Sequence, residues 1–93
     1  MIRSFKDKAT RAIADGRSPK GFSGELLRAA QRKLFLIEHA VELKDLATPP
    51  GNRLEALKGK RAGQYSIRVN DQFRICFRWT DGNAEEVELA DYH

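Results

Sequence analysis

The side chains with chemical potential in this 93-residue chain lie mostly in its second half. Glu55, Asp91 and His93 can exchange protons, Tyr92 can transfer a proton or stack on a base, and Lys58, Arg68, Arg74 and Arg78 carry positive charge. Such a set suits metal-free scission of an RNA strand. That reaction takes a base at the 2′-hydroxyl, an acid at the leaving 5′-oxygen, and cations around the developing phosphorane charge. The sequence has no Walker loop, dinucleotide fingerprint, nucleophile elbow or zinc-ligand spacing, which removes many enzyme classes and leaves metal-free nucleases. With 17 Lys and Arg in the chain, however, residue types alone prove little. Their placement has to carry the argument.

Placement comes from period-two alternation, which reads residues 64–93 as three antiparallel strands ending in Asp91-Tyr92-His93. Tyr65, Ile67 and Val69 share a core-facing side with Phe73, Ile75, Phe77 and Trp79, then Val87 and Leu89. The other face carries Gln64, Ser66, Arg68, Arg74, Cys76, Arg78, Glu86, Glu88 and Tyr92, and is expected to stand open to a partner. Pairing Val69 with Phe73 keeps apolar residues opposite one another and sets Arg68 across from Arg74. Facing like charges destabilise a sheet unless an anion lies between them, a first hint of a phosphate site. Closing the next hairpin over Thr80-Asp81-Gly82-Asn83-Ala84 pairs Phe77 with Val87 and Arg78 with Glu86. Asp91, by parity with Val87 and Leu89, belongs to the core side and is better suited to orienting neighbours than to acting as a base.

Two helices precede this sheet. Residues 1–5 either begin an edge strand or lead into the first helix, for which Phe5, Ala9, Ala12 and Ile13 have helical spacing, with Asp7 near the start and Gly16 past the end. A longer helix runs from Ser23, a good N-cap, to about residue 40. Leu26, Ala30, Leu34, Ile37 and Val41 form its apolar stripe, flanked by Leu27 and Phe35, and Arg28 and Arg32 form a solvated surface. His39 reads as a surface residue that suits the helix C-terminus. Another helical turn or two over residues 41–46 ends at Thr48-Pro49-Pro50-Gly51, where consecutive prolines impose an extended path.

A basic loop joins the two halves. Leu54 and Leu57 are expected to anchor it in the core, while Arg53, Lys58, Lys60 and Arg61 concentrate positive charge. A charge run of this kind is usually just a solvated loop. Here glycines let the backbone approach a ligand, and the loop leads directly into the strand bearing Arg68.

Composition agrees with one small α+β domain over residues 1–93, two N-terminal helices packed on a mainly antiparallel sheet. Hydrophobic residues make up 41% and charged residues 32%, ordinary for a globular protein and against a disordered chain, and the net charge of +4 favours an anionic partner. A single cysteine, Cys76, excludes an internal disulfide. Its two arginine neighbours on the polar face could lower its pKa, although a bystander thiol is the simpler reading. Without a signal peptide or membrane span, the expected compartment is the cytoplasm, with no membrane partner.

Three long segments carry a family resemblance. Gly51-Asn52-Arg53-Leu54-Glu55-Ala56-Leu57-Lys58-Gly59, the run from Gly63 through Ser66-Ile67-Arg68-Val69-Asn70-Asp71-Gln72 to Trp79, and the terminal Asp91-Tyr92-His93 closely resemble the HigB branch of the RelE/ParE toxin superfamily. Met1-Ile2-Arg3-Ser4-Phe5 fits as well. The resemblance implies a RelE-like microbial RNase fold and a type II toxin that cleaves mRNA in the ribosomal A site without a cofactor. It further implies neutralisation by a HigA-type antitoxin and operator-DNA binding through the antitoxin complex. Lys58, Asp91, Tyr92 and His93 match the residues that carry activity in such relatives, whereas Glu55 stands where they have a histidine. On that basis Glu55 is a candidate general base, His93 the general acid, and Lys58 and Arg74 clamps on the phosphate. Arg53, Lys60, Arg61, Arg68 and Arg78 would hold the RNA backbone, and Tyr92 would stack on a base. Two other classes stay open on the residues: a ParE-like toxin that binds and inhibits DNA gyrase without cleaving RNA, and a DNA-binding module. The last has only the basic charge behind it, because no recognition-helix signature is present.

Overall fold

A computed structural model describes residues 1–92. Asp7 caps the first helix, α1 (Lys8–Ala14), by accepting from the Thr10 amide at 2.7 Å. Ser23 does the same for α2 (Gly24–His39), accepting from Leu26 N at 3.1 Å. The buried side of α2 is Leu26, Leu27, Ala30, Leu34 and Ile37, spaced to form one stripe. Two residues expected to join it do not. Val41 lies beyond the Ala40 C-cap and is 75% exposed, and Phe35 is 63% exposed, with its ring 4.2 Å from that of His39.

After α2 come two 3₁₀ turns, Leu43–Ala47 and Pro50–Asn52, and a third, Gly59–Arg61, follows the short strand β1 (Glu55–Ala56). That strand was read from the sequence as loop, so the sheet has four strands where three were expected. Strands β2 (Tyr65–Arg68), β3 (Phe73–Thr80) and β4 (Asn83–Asp91) complete it in the order β1-β2-β3-β4, every pairing antiparallel. Arg68 pairs with Arg74 as alternation requires, and Val69 N donates to the Phe73 carbonyl at 3.0 Å.

The second hairpin departs from the expected five-residue loop. Thr80 pairs with Asn83 across Asp81 and Gly82, both left-handed at φ 51 and φ 79, the two-residue turn whose twist matches paired strands. The one extra residue this gives β4 is absorbed by a bulge: Cys76 faces Glu88, but Arg78 faces Glu85, and Glu86 adopts φ 53. Arg78 therefore reaches Glu86 diagonally, and the anticipated ion pair forms at 3.1 Å.

One face of the sheet packs on the helices. Ile67, Val69, Ile75, Phe77 and Val87 join Ile13, Leu26, Leu34 and Ile37 in a single core, with Leu54 against its edge and Leu57 half-buried. The N-terminal residues form edge bridges rather than the start of α1. Ile2 and Phe5 pair in parallel with Ala84 and Val87 of β4. Arg3 N donates to Ala84 O at 2.7 Å, Ser4 O accepts from Val87 N at 3.1 Å, and Thr10 Oγ1 accepts from Leu89 N at 3.0 Å. This covers the outer edge of β4. Among the described residues no helix is long and apolar enough to cross a membrane.

Candidate active site

The polar face of the sheet, expected from the sequence to stand open to a partner, is instead partly closed, because arginines roof it. Ser66 and Cys76 are completely buried there. Arg61 folds back from its 3₁₀ turn to donate to Gln64 Oε1 at 3.1 Å and Glu88 Oε1 at 3.0 Å, and Lys6 approaches the same carboxylate at 3.8 Å. The Glu88 bond raises the Arg61 pKa against the opposing effect of burial. Burial raises the Cys76 pKa despite the nearby Arg61 and Arg74, so the activated thiolate considered from sequence is not formed.

At the other end of this face stands Arg74. Its side chain is only 12% exposed and is held from several sides. Nε donates to Ser66 Oγ at 2.7 Å, Nη2 donates to the Arg53 carbonyl at 2.6 Å, and Glu55 Oε1 lies 3.3 Å from Nη2. The Arg53 carbonyl is available because that residue turns through the left-handed region, φ 46, between the Pro50–Asn52 turn and β1. Strand β1 places Glu55 directly across from Ser66. Two elements of irregular sequence thus converge on one arginine of a regular strand.

Arg68, across from Arg74, turns toward Asp71 and pairs with it. The facing like charges inferred from register are therefore relieved by acidic partners and a carbonyl, with no anion needed for the sheet to form. Asn70 Oδ1 accepts from Gln72 N at 2.9 Å and Phe73 N at 2.7 Å, which fixes the turn that presents Asp71.

Arg53, Glu55, Arg68, Asn70, Asp71, Arg74 and Tyr92 enclose a concavity of about 300 Å³. Tyr92 closes it from beyond the end of β4, its amide donating to Gln72 O at 2.7 Å and the residue as a whole 43% exposed. Asp91 faces Phe73 in register as its parity requires, but at the strand end it is exposed instead of core-facing, and its Oδ2 accepts from Gln72 Nε2 at 3.1 Å. His93 lies outside the described residues.

The remaining basic candidates stand apart. Lys58 and Lys60 are exposed around the Gly59–Arg61 turn and do not line the concavity. Arg78 is engaged by Glu86 and packs on Gly63, where an added Cβ would lie 2.8 Å from Nη1 at a backbone φ of 90. A larger hollow of about 620 Å³ runs along the outer side of α2 and is lined by Arg28, Gln31, Arg32, Lys33, Phe35 and Leu36, none of them a carboxylate or an imidazole. Among the described residues no group of three or more His, Cys, Asp or Glu converges as metal ligands would.

Two residues near the site escaped the sequence reading. Lys33 Nζ donates to Asn52 Oδ1 at 2.5 Å, and Asn52, completely buried, donates from Nδ2 to the Leu46 carbonyl at 3.0 Å. Burial, with smaller contributions from Arg32 and Arg68, lowers the Lys33 pKa. Lys33 falls three residues after Ala30 and four before Ile37, half-buried at the margin of the apolar stripe.

The model of the HigB-like toxin family, described as the RelE-like toxin of the type II toxin-antitoxin system HigB, matches residues 3–93. Toxin HigB-1 of Vibrio cholerae serotype O1 is 40% identical over 90 residues, covering 96% of this chain and 95% of that protein. Endoribonuclease HigB of Proteus vulgaris is 31% identical over 93 residues, covering all of both chains at 100%. Among solved structures, the YoeB–YefM complex from Staphylococcus aureus matches with a TM-score of 0.61 at 17% identity over 100% of this chain and 98% of that one, a likeness of fold. With its two helices on an antiparallel sheet and a match over nearly its full length, the chain belongs to the HigB-like family, the RelE-like toxins of type II toxin-antitoxin systems.

Proposed function

We propose that the whole chain, residues 1–93, acts as one toxin domain that cleaves mRNA in the A site of the 70S ribosome and so halts translation. The observation that carries this reading is the concavity in which Arg74, held by Ser66 and the Arg53 carbonyl, stands 3.3 Å from Glu55 with Tyr92 at its rim. A carboxylate, a held guanidinium and an aromatic ring around one concavity support a reading in which they act on one nucleotide. The name of the Proteus vulgaris relative, an endoribonuclease, supports the same reaction.

In the proposed reaction Glu55 accepts the 2′-hydroxyl proton as that oxygen attacks phosphorus. Arg74 stabilises the charge on the phosphorane, Lys58 joins it by swinging in from its exposed position outside the concavity, and His93 protonates the departing 5′-oxygen. The P–O5′ bond breaks and leaves a 2′,3′-cyclic phosphate. Acid, base and cations suffice for each step, so no cofactor enters. Tyr92 stacks on a base, and Asp91 orients its neighbours. Arg53 and Lys60 hold the RNA backbone, joined by Arg61, Arg68 and Arg78 where they exchange their carboxylate partners for phosphates. Dependence on the ribosome follows from the small site, since a few acid-base groups gain most from mRNA already oriented. A HigA-type antitoxin neutralises the protein in the cytoplasm, and operator DNA is bound through that complex.

Primer extension on a defined mRNA, with and without programmed ribosomes, tests this reading. Cuts that need ribosomes and disappear in Glu55→Gln, Lys58→Ala and His93→Ala support it. Growth arrest that persists in those variants, with no cuts, rejects it in favour of a bound target such as DNA gyrase.

A further inference from the structure

The loop that brings Arg53 and Glu55 to Arg74 contains one side chain with no exposure at all, Asn52. Its amide is tied in two directions, to Lys33 of α2 at 2.5 Å and to the Leu46 carbonyl of the preceding 3₁₀ turn at 3.0 Å. Backbone bonds from Asn52 N to Pro49 O, 2.9 Å, and from Arg53 N to Pro50 O, 3.2 Å, make the local turn rigid. The next residue is left-handed Arg53, whose carbonyl receives Arg74, and Glu55 follows two positions later. The place of both these Arg74 partners therefore depends on where Asn52 is held.

Neither Lys33 nor Asn52 lines the concavity. A lysine on a helix usually extends its ammonium into water. Lys33 instead keeps its charge turned in to one amide oxygen, against burial and the like charges of Arg32 and Arg68. What the ammonium adds is direction: one acceptor, at one distance, on the turn that leads into the site.

We infer that Lys33 and Asn52 are positioning residues of the candidate active site, holding the Arg53 carbonyl and Glu55 in register with Arg74. The catalytic consequence rests on the proposed role of Arg74 at the phosphorane, whereas the geometric coupling does not.

The test uses Lys33→Met, which removes the ammonium and keeps an unbranched chain, and reads two properties. On programmed ribosomes kcat falls between about tenfold and about a hundredfold with KM nearly unchanged, the signature of a misplaced group. Lys33→Arg, which retains a donor, recovers part of the loss. In a background of Arg74→Lys with Glu55→Gln, Lys33→Met adds little, since the groups whose register it sets are already gone. Full multiplication of the two losses overturns the inference.

The second readout is independent of cleavage. Side-chain ¹⁵N–¹H resonances of Arg74 shift and broaden in Lys33→Met at a temperature where circular dichroism matches wild type. They do the same in Asn52→Asp, which keeps an acceptor for Lys33 but loses the donor to Leu46. Unchanged Arg74 resonances in both variants overturn the inference. Shifted resonances in a protein whose wild type makes no cuts reject the nuclease reading and leave the positioning role supported.

Discussion

Replacing Arg74 by lysine keeps the charge and removes the fork, which makes it a sharp test of whether geometry or charge alone matters at this site. The guanidinium reaches the Ser66 hydroxyl from Nε at 2.7 Å and the Arg53 carbonyl from Nη2 at 2.6 Å. A single ammonium nitrogen cannot serve both directions. Ser66 is fully buried, so the lost charge-assisted bond is worth about 1.5–3 kcal/mol. Little is added by Glu55, whose side chain is 59% exposed and screened by water. A chain of this size holds roughly 5–14 kcal/mol of stability, so the variant folds. Its Tm should fall by about 6–24 °C at the sensitivity of a small domain. Activity should fall further than stability does, because losing one aimed donor to a developing oxyanion lowers kcat by about 10²–10³. The assay is single-turnover cleavage on programmed ribosomes, held well below both melting midpoints and normalised to folded protein. Cleavage within about threefold of wild type would refute the assignment of Arg74 as an aimed donor and leave it a general positive charge.

Asp71→Asn frees Arg68 from its exposed carboxylate partner, and KM for programmed ribosomes should drop by no more than about fivefold, the ceiling for such a pair; an unchanged or higher KM counts against Arg68 as a phosphate contact. Asp45 accepts from the amides of Glu42 and Val41 at 2.9 and 3.0 Å, and these bonds hold its pKa below the ordinary 3.8. A depressed carboxyl pKa stabilises the fold above the unfolded value and ceases to do so as pH falls through the folded one. Thermal melts of wild type and Asp45→Asn should therefore differ at pH 7 and converge below that lowered pKa. Cys76, buried and with its pKa raised, should react with thiol reagents only at the rate of unfolding, measured by labelling across a denaturant series.

Regular structure was legible because it repeats. Alternation from Tyr65 to Leu89 identified the core side, set Arg68 opposite Arg74, and so located the centre of the candidate site before any coordinates. What escaped was short or depended on distant contacts. Strand β1 has only two residues, too few to show a period, yet it is what sets Glu55 across from Ser66. The Asp81-Gly82 turn has a strong local signature, but the expected longer loop hid both it and the bulge at Glu86. Arg61 was grouped with the loop cations because nothing adjacent in sequence indicates Glu88, 27 positions away. Lys33 was passed over as one more basic helical residue, since its partner, Asn52, lies beyond two prolines. Phe35 and Val41 fit the apolar pattern of α2, but helix termination at Ala40 and the angular limits of the buried stripe leave both in water.

The covered edge of β4 bears on how the protein is made. Ser4 Oγ accepts from the Glu86 amide across 82 positions, and Thr10 Oγ1 from the Leu89 amide across 79. Contacts that distant cannot form on a growing chain until its last quarter has left the ribosomal tunnel, and closing so long a loop is entropically slow to repay. The N-terminal segment therefore stays unpaired while the central strands are made, and it docks only once residues 84–89 are free to receive it.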